Sequence, residues 1–345
     1  MTKPLRYSDA GVDISVWNKT KGRIGDLVSA TFNDRVMGSF GQFGGMYDIA
    51  NLQGINHPVL VSSTDSVGTK VMIAFESGIH NTIGEDIVNH CVDDILVLGA
   101  KPLFFLDYIG IHKLEPQIAE KIITGLSIAC KTNGCVLIGG ETAEMPDLYK
   151  KGEYDLVGCI VGVVDKNDVI DGISIGSGDV LIGLRSNGLH TNGYSLARKI
   201  VRDIAGKNYS DIFEETQKTF AQELLRPHRS YIPIHSLIQK KLIKGCAHIT
   251  GGGFQDNINR ILPQDCNALI TTQAWKPDPI FNWLQRNGNV ENDEMYHTFN
   301  MGIGFVLVVD ESNVDTVMKA QELSVFEPVV IGTVARGASQ VIMEY

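Results

Sequence analysis

Residues 62–70, Ser-Ser-Thr-Asp-Ser-Val-Gly-Thr-Lys, bring hydroxyls, one carboxylate, a glycine and a lysine together directly after the apolar run Val59-Leu60-Val61. The run reads as the end of a buried strand, which delivers these polar residues to a ligand and not to a core. Asp65 offers a hard oxygen of the kind Mg2+ takes, Gly68 lets the backbone approach a bulky group, and Lys70 can meet a phosphate as a point charge. The G-x-x-x-x-G-K-[ST] spacing of a P-loop is absent, so a nucleotide held here is held by another design. A second source of carboxylates is Asp93-Asp94, and a third polar run, Gly139-Gly140-Glu141-Thr142-Ala143-Glu144, follows a short apolar strand. Two Gly-rich turns, 186–193 with His190 inside it and 248–253 with three successive glycines, have the strand-turn-helix form in which free N–H groups receive an anion. A loop histidine is ordinarily a surface residue, and beside such a turn it is also a candidate for binding or proton transfer.

The elements that must position these groups alternate along the chain. Ile87, Cys91, Ile95 and Leu98 recur at helical spacing between Gly84 and Gly99, with Asp86, Asn89, His90 and Asp93 on another side and Asp94 at its border. A solvated acidic face is the ordinary explanation of such a stripe and suits Glu85. Asp93 and Asp94, set between Cys-Val and Ile-Leu, suit a metal as well. Residues 103–111 read as a strand, Pro116 opens a helix that Asn133-Gly134 closes, and strands follow at 135–139 and 153–165. The polar, Gly-rich stretch 168–179 marks a boundary between an N-terminal unit, 1–168, and a C-terminal unit, 169–345. In the second unit, strands at 180–184, 266–272, 302–309 and 329–334 alternate with helices at 196–204, 254–262, 278–287 and 312–323. Residues 1–50 are Gly-rich without clear periodicity, and the 38–45 stretch, Gly-Ser-Phe-Gly-Gln-Phe-Gly-Gly, reads either as plain turns or as a flap over a ligand.

At 345 residues the chain holds about two domains, and its net charge of −10 argues against a general affinity for nucleic acid or an anionic membrane. A small anionic substrate is expected. No run nears the roughly 20 apolar residues of a membrane span, and the first residues lack a signal-peptide core, so the expected setting is cytoplasmic. The six cysteines include no C-x-x-C pair and sit mostly in apolar runs, which predicts buried, reduced thiols in place of disulfides or zinc. The residues alone suit an enzyme that handles a nucleoside triphosphate with Mg2+ and a second phosphorylated ligand. They suit a non-catalytic nucleotide-binding regulator almost as well.

Together, Thr64-Asp-Ser-Val-Gly-Thr-Lys70, Cys91-Val-Asp-Asp-Ile95, Pro102-Leu-Phe-Phe-Leu-Asp-Tyr108, Gly139-Gly-Glu-Thr-Ala-Glu-Met-Pro146, Gly188-Leu-His-Thr-Asn-Gly-Tyr-Ser-Leu196 and His248-Ile-Thr-Gly-Gly-Gly253 resemble, in this order, the phosphoribosylformylglycinamidine cyclo-ligases, or aminoimidazole ribonucleotide synthetases, of purine biosynthesis. The resemblance runs from about Gly11 to the C-terminus. It implies an N-terminal α+β domain, 1–168, that binds ATP and Mg2+ and whose sheet pairs across a homodimer. It implies a C-terminal mixed α/β domain, 169–345, that binds substrate, with the active site between the two. The implied reaction spends ATP to activate the formyl oxygen of formylglycinamidine ribonucleotide as an iminophosphate, after which the amidine nitrogen closes the imidazole ring and expels phosphate.

Carried onto this chain, the resemblance implies that Asp65 and Asp94 bind Mg2+ and take part in catalysis, with Asp93 beside them. Thr69 and Lys70 would contact phosphates, and the 38–45 loop, Gly44 and Gly45 included, would close over ATP. Glu141 and Thr142 would complete the polar wall, His190 would lie by the reacting amide, and Gly251, Gly252 and Gly253 would cradle the ribose phosphate. A monovalent cation such as K+ is left open. Thr64-Asp-Ser-Val stands where Thr-Asp-Gly-Val is commoner, which leaves the carboxylate in place. Family members often carry a Lys after Gly-Arg-Ile, whereas here Gly22-Arg-Ile-Gly25 leads to Asp26, so Lys19 or Lys21 would substitute or no such Lys is needed. The rivals are relatives with the same ATP site, selenophosphate synthetase and thiamine-phosphate kinase, and an inactive nucleotide-binding homologue. Selenophosphate synthetases typically carry a reactive Cys or selenocysteine near the N-terminus, and here the first Cys is Cys91.

Overall fold

The computed structural model describes residues 14–41 and 44–345. The first sheet has the spatial order Pro58–Ser66, Tyr154–Asp165, Lys101–Ile111, Val136–Glu144, antiparallel except for its last pair. Alternate residues of the two central strands, among them Phe105, Ile109, Leu156 and Ile160, turn to one face and are buried there. Helices Asn81–Leu96 and Pro116–Asn133 cover that face. They meet through glycines: a Cβ on Gly84 would lie 2.2 Å from Ile122 O, and one on Gly125 would lie 1.9 Å from Asn81 O. Only residues without side chains let the two backbones approach this closely.

The second sheet orders Gly245–His248, Ile303–Val309, Val180–Arg185, Val329–Arg336, Cys266–Thr271 and Val341–Glu344, again antiparallel except for the last pair. Every residue of Ile303–Val309 is buried, the mark of a strand covered on both faces. The chain is thus two mixed α/β domains, as expected. The first sheet closes at Asp165 and the second opens at Val180.

Four local readings change. A helix, Ile14–Ser29, occupies part of the stretch that showed no clear periodicity, and its Ile24 and Val28 are buried. Leu98 falls beyond the end of Asn81–Leu96 and is 40% exposed. The expected 196–204 helix is α-helical over Tyr194–Lys199 and continues as a π-turn, Ile200–Ile204. The expected 312–323 helix is α-helical only over Val314–Met318, between 3-10 turns. Five of the six cysteines are buried and Cys159 is half-buried, all of them free thiols. No helix among the described residues is long and apolar enough to cross a membrane.

Candidate active site

Asp65 lies one residue from the end of strand Pro58–Ser66, and Asp94 lies two residues from the end of helix Asn81–Leu96. The helix brings His90 between them, because residues four apart share a face. His90 Nε2 sits 2.7 Å from Asp65 Oδ2 and 3.6 Å from Asp94 Oδ2. Asp94 also accepts hydrogen bonds from Ser63 Oγ at 2.8 Å and His248 Nδ1 at 2.9 Å. Burial pushes the Asp94 carboxyl up, but the His248 hydrogen bond and the neighbouring imidazole charge outweigh it and bring the pKa to about 2. The same contest lowers Asp65, where the His90 hydrogen bond prevails over burial. Burial pushes His90 down, and the hydrogen bond to Asp65 with the Asp94 charge carries it above its ordinary 6.5. Both carboxylates are therefore ionised at neutral pH, and Asp65 keeps 45% of its side chain exposed. Hard, ionised, solvent-facing oxygens of this kind fit a divalent cation such as Mg2+. Thr69, exposed on the next turn, reaches across to Ser195 at 3.0 Å, so the mouth of the site lies between the two domains.

The polar face of helix Asn81–Leu96 is neither solvated nor wholly given to a metal. It docks one segment of the second domain. Asp86 Oδ1 accepts from His228 N at 2.7 Å, Asn89 donates to His228 O at 2.7 Å, and Asp93 Oδ1 accepts from Tyr231 N at 2.8 Å. Asp93 is fully buried, and burial raises its carboxyl well above the usual range, which removes it from any set of ionised ligands at the mouth. Lys70 is displaced from its expected place on a phosphate. Its side chain is fully buried and its three protons go to Asp86 Oδ1 at 2.8 Å, His190 O at 2.9 Å and Arg226 O at 2.8 Å. An ammonium has three donors, so none is left for a ligand.

His190 is also not where an exposed or cleft-lining loop histidine would be. It is 1% exposed, in the left-handed region at φ 62, and stacked on His228 with ring centroids 3.9 Å apart. Its Nε2 accepts from Asn187 N at 3.1 Å, which puts the proton on Nδ1, and Nδ1 has no hydrogen-bond partner among the described residues. Burial, then the charges around it, hold its pKa well below 6.5. The ring is a neutral one beneath the site.

The remaining candidates form two groups. Gly44, Gly45 and Glu141 line a cleft of about 440 Å3 with Lys21, Phe40 and Asp107. Of the two lysines that could substitute for the missing one, Lys21 is thus at this cleft, and the Lys19 side chain lies outside the described residues, as do Gln42 and Phe43 of the flap. The Gly139–Thr142 run is itself strand: Val136–Glu144 pairs with Lys101–Ile111 with one register shift that skips Ile138, and Thr142 N donates to Glu141 Oε1 at 2.7 Å. A row of paired residues, Asp65, Gly158, Asp107, Gly140, runs across the sheet from the carboxylates to this cleft. Three strand spacings make that roughly 14 Å. In the other domain, Gly251 lies against Asn192, which sets the two Gly-rich turns side by side. Gly252 and Gly253 take φ of 87 and 61, and a Cβ on Gly253 would strike Tyr296 O at 1.8 Å.

His90, His228 and His248 are the site residues that sequence reasoning left unassigned. His90 carried a signal, its spacing of four from Asp94. His248 began a quoted motif without a role, and His228, in Pro227-His228-Arg229, carried none.

The AIR synthase related protein N-terminal domain family matches residues 48–164, and the AIR synthase related protein C-terminal domain family matches residues 176–344. A phosphoribosylformylglycinamidine cyclo-ligase from Geotalea uraniireducens is 51% identical over 91% of this chain and 90% of its own length. One from Syntrophotalea carbinolica is 46% identical over 98% and 97%. Among solved structures, thiamine-monophosphate kinase from Stenotrophomonas maltophilia K279a superimposes with a TM-score of 0.66 at 15% identity, covering 94% of this chain and 95% of that one. The hydrogenase maturation protein HypE in complex with ATP gives 0.65 at 19%, covering 97% and 92%. These two share the fold. With the relatives' identity spread over both domains, the chain belongs to the phosphoribosylformylglycinamidine cyclo-ligase family.

Proposed function

We propose that this chain catalyses the ATP-dependent closure of formylglycinamidine ribonucleotide to 5-aminoimidazole ribonucleotide, with release of ADP and phosphate. The observation that carries the site assignment is the ionised pair Asp65 and Asp94 at the interdomain mouth. Asp65 and Asp94 would hold Mg2+, which when bound would supply positive charge to screen the triphosphate. Thr69 at the mouth contacts phosphate. The cleft lined by Lys21, Gly44, Gly45 and Glu141, with Thr142 behind it, receives the rest of the nucleotide, and ATP bound to the HypE neighbour supports that use of the fold. Gly251, Gly252 and Gly253, beside the 186–193 turn, face the phosphoribosyl group. The iminophosphate route suits the site, since phosphorylation turns a poor leaving oxygen into a good one and a closed interdomain cleft holds the amidine nitrogen near the carbon. In this reading Lys70, Asp93 and His190 position the walls of the site without touching the reacting atoms.

The same reading makes the enzyme a homodimer. The face of the first sheet away from the helices carries Phe104, Leu106, Tyr108, Val157 and Val161, half-buried, with Leu60 56% exposed. An apolar sheet face of this extent is a surface for burial against a partner.

Purified protein supplied with formylglycinamidine ribonucleotide, ATP and Mg2+ tests the proposal. Equal yields of ADP and aminoimidazole ribonucleotide are expected. ADP formed without the imidazole product, or turnover of thiamine monophosphate in its place, overturns it.

A further inference from the structure

Four histidines, His90, His190, His228 and His248, are buried together beneath Asp65 and Asp94, with exposures of 4%, 1%, 1% and 5%. They come from both domains: His90 from the Asn81–Leu96 helix, the others from the second domain. His228 Nε2 faces His248 Nε2 at 3.1 Å and Asp93 Oδ2 at 3.3 Å. With His248 Nδ1 donating to Asp94 Oδ1 at 2.9 Å, His248 Nε2 presents a lone pair. The single proton that His228 Nε2 can carry serves His248 or Asp93 but not both. Asp93 Oδ2 is in fact without a hydrogen-bond partner among the described residues. The His228 and His248 Nε2 atoms, buried and facing each other, are a pair of nitrogens that one cation could bridge.

We infer that His90, His228 and His248 form a binding site for a borderline-soft divalent cation such as Zn2+, clasping the two domains together below the carboxylate pair. One ring nitrogen from each of the three lies within 4.8 Å of the other two. Two imidazole nitrogens on one tetrahedral Zn2+ stand about 3.3 Å apart, close to the observed His228 to His248 separation. His90 and His248 each hold a carboxylate through a ring nitrogen, Asp65 and Asp94 respectively, the outer support that metal-bound imidazoles use to fix ring orientation. Nitrogen donors select Zn2+ over Mg2+, which takes carboxylate oxygens such as those of Asp65 and Asp94 at the mouth. The cysteine count gave no hint of zinc because this site uses no thiol and draws its ligands from three separated segments.

The site does not depend on the ring-closing reaction. Full-length protein is stripped with a chelator, given Zn2+ in a roughly hundredfold excess of Mg2+, and desalted. Elemental analysis is expected to find one Zn2+ per chain, X-ray absorption to show imidazole scattering from histidine ligands, and the unfolding midpoint to rise. His228→Gln, which leaves Asp65 and Asp94 untouched, is expected to lose the ion. An all-oxygen shell in the wild-type protein, no retained Zn2+, or full retention by a folded His228→Gln variant overturns the inference. Should that variant not fold, the wild-type absorption spectrum decides alone. Ring closure assayed with Mg2+ in the stripped sample reads the proposed reaction separately.

Discussion

Lys70 and Asp86 form an ion pair of 2.8 Å with both side chains wholly buried, and the other two Lys70 protons cross to His190 O and Arg226 O of the second domain. Lys70→Met leaves Asp86 buried and unpaired, so urea unfolding is expected to show a loss of about 3–5 kcal/mol. An unchanged midpoint with a raised KM for ATP would return Lys70 to the phosphates.

Asp65→Asn and Asp94→Asn are expected to abolish ring closure while the circular dichroism stays native, because an amide is a poor ligand for Mg2+. Near-normal turnover in both would remove the metal assignment.

Acid stability follows from Asp94. Its folded pKa, about 2, lies below the ordinary 3.8, so the stabilisation it brings is complete above about pH 4 and is lost as pH falls towards 2. Asp94→Asn is expected to flatten that part of the stability profile. A wild-type slope persisting in the variant would assign the effect to other carboxyls.

His190→Ala removes a fully buried ring stacked on His228 and leaves Ala in the left-handed region. A loss of about 2–4 kcal/mol is expected, with activity tracking the folded fraction. A fall in kcat of about a hundredfold or more with an unmoved unfolding midpoint would instead make His190 a proton carrier.

Leu60→Glu places a charge on the open face of the first sheet. Light scattering is expected to report a monomer for the variant and, on the proposed function, a dimer for the wild type. A variant that stays dimeric moves the interface elsewhere.

The strand ending at Asp65, the helix carrying Asp94 and the Gly-rich turns were legible because each depends on local periodicity and backbone freedom, which the order of residues states directly. The resemblance added the family, and the relatives' identity across both domains bears it out. Glu141 illustrates where local reading stops: its polar run was expected to follow the strand, but pairing with Lys101–Ile111 holds the run as strand, since a neighbouring strand supplies the hydrogen bonds. The destination of a buried polar side chain is less legible still. Lys70 reads as a phosphate ligand by type and Asp93 as a metal ligand by neighbourhood, yet both are spent on the second domain, whose partner groups lie 120 or more residues away in sequence. By itself the sequence determined most of the elements and the family, and brought Asp65 and Asp94 forward as candidates. Only the tertiary structure decided which charges face solvent and which pair across the domains, because burial and partner geometry, not residue type, set where a charge is stable.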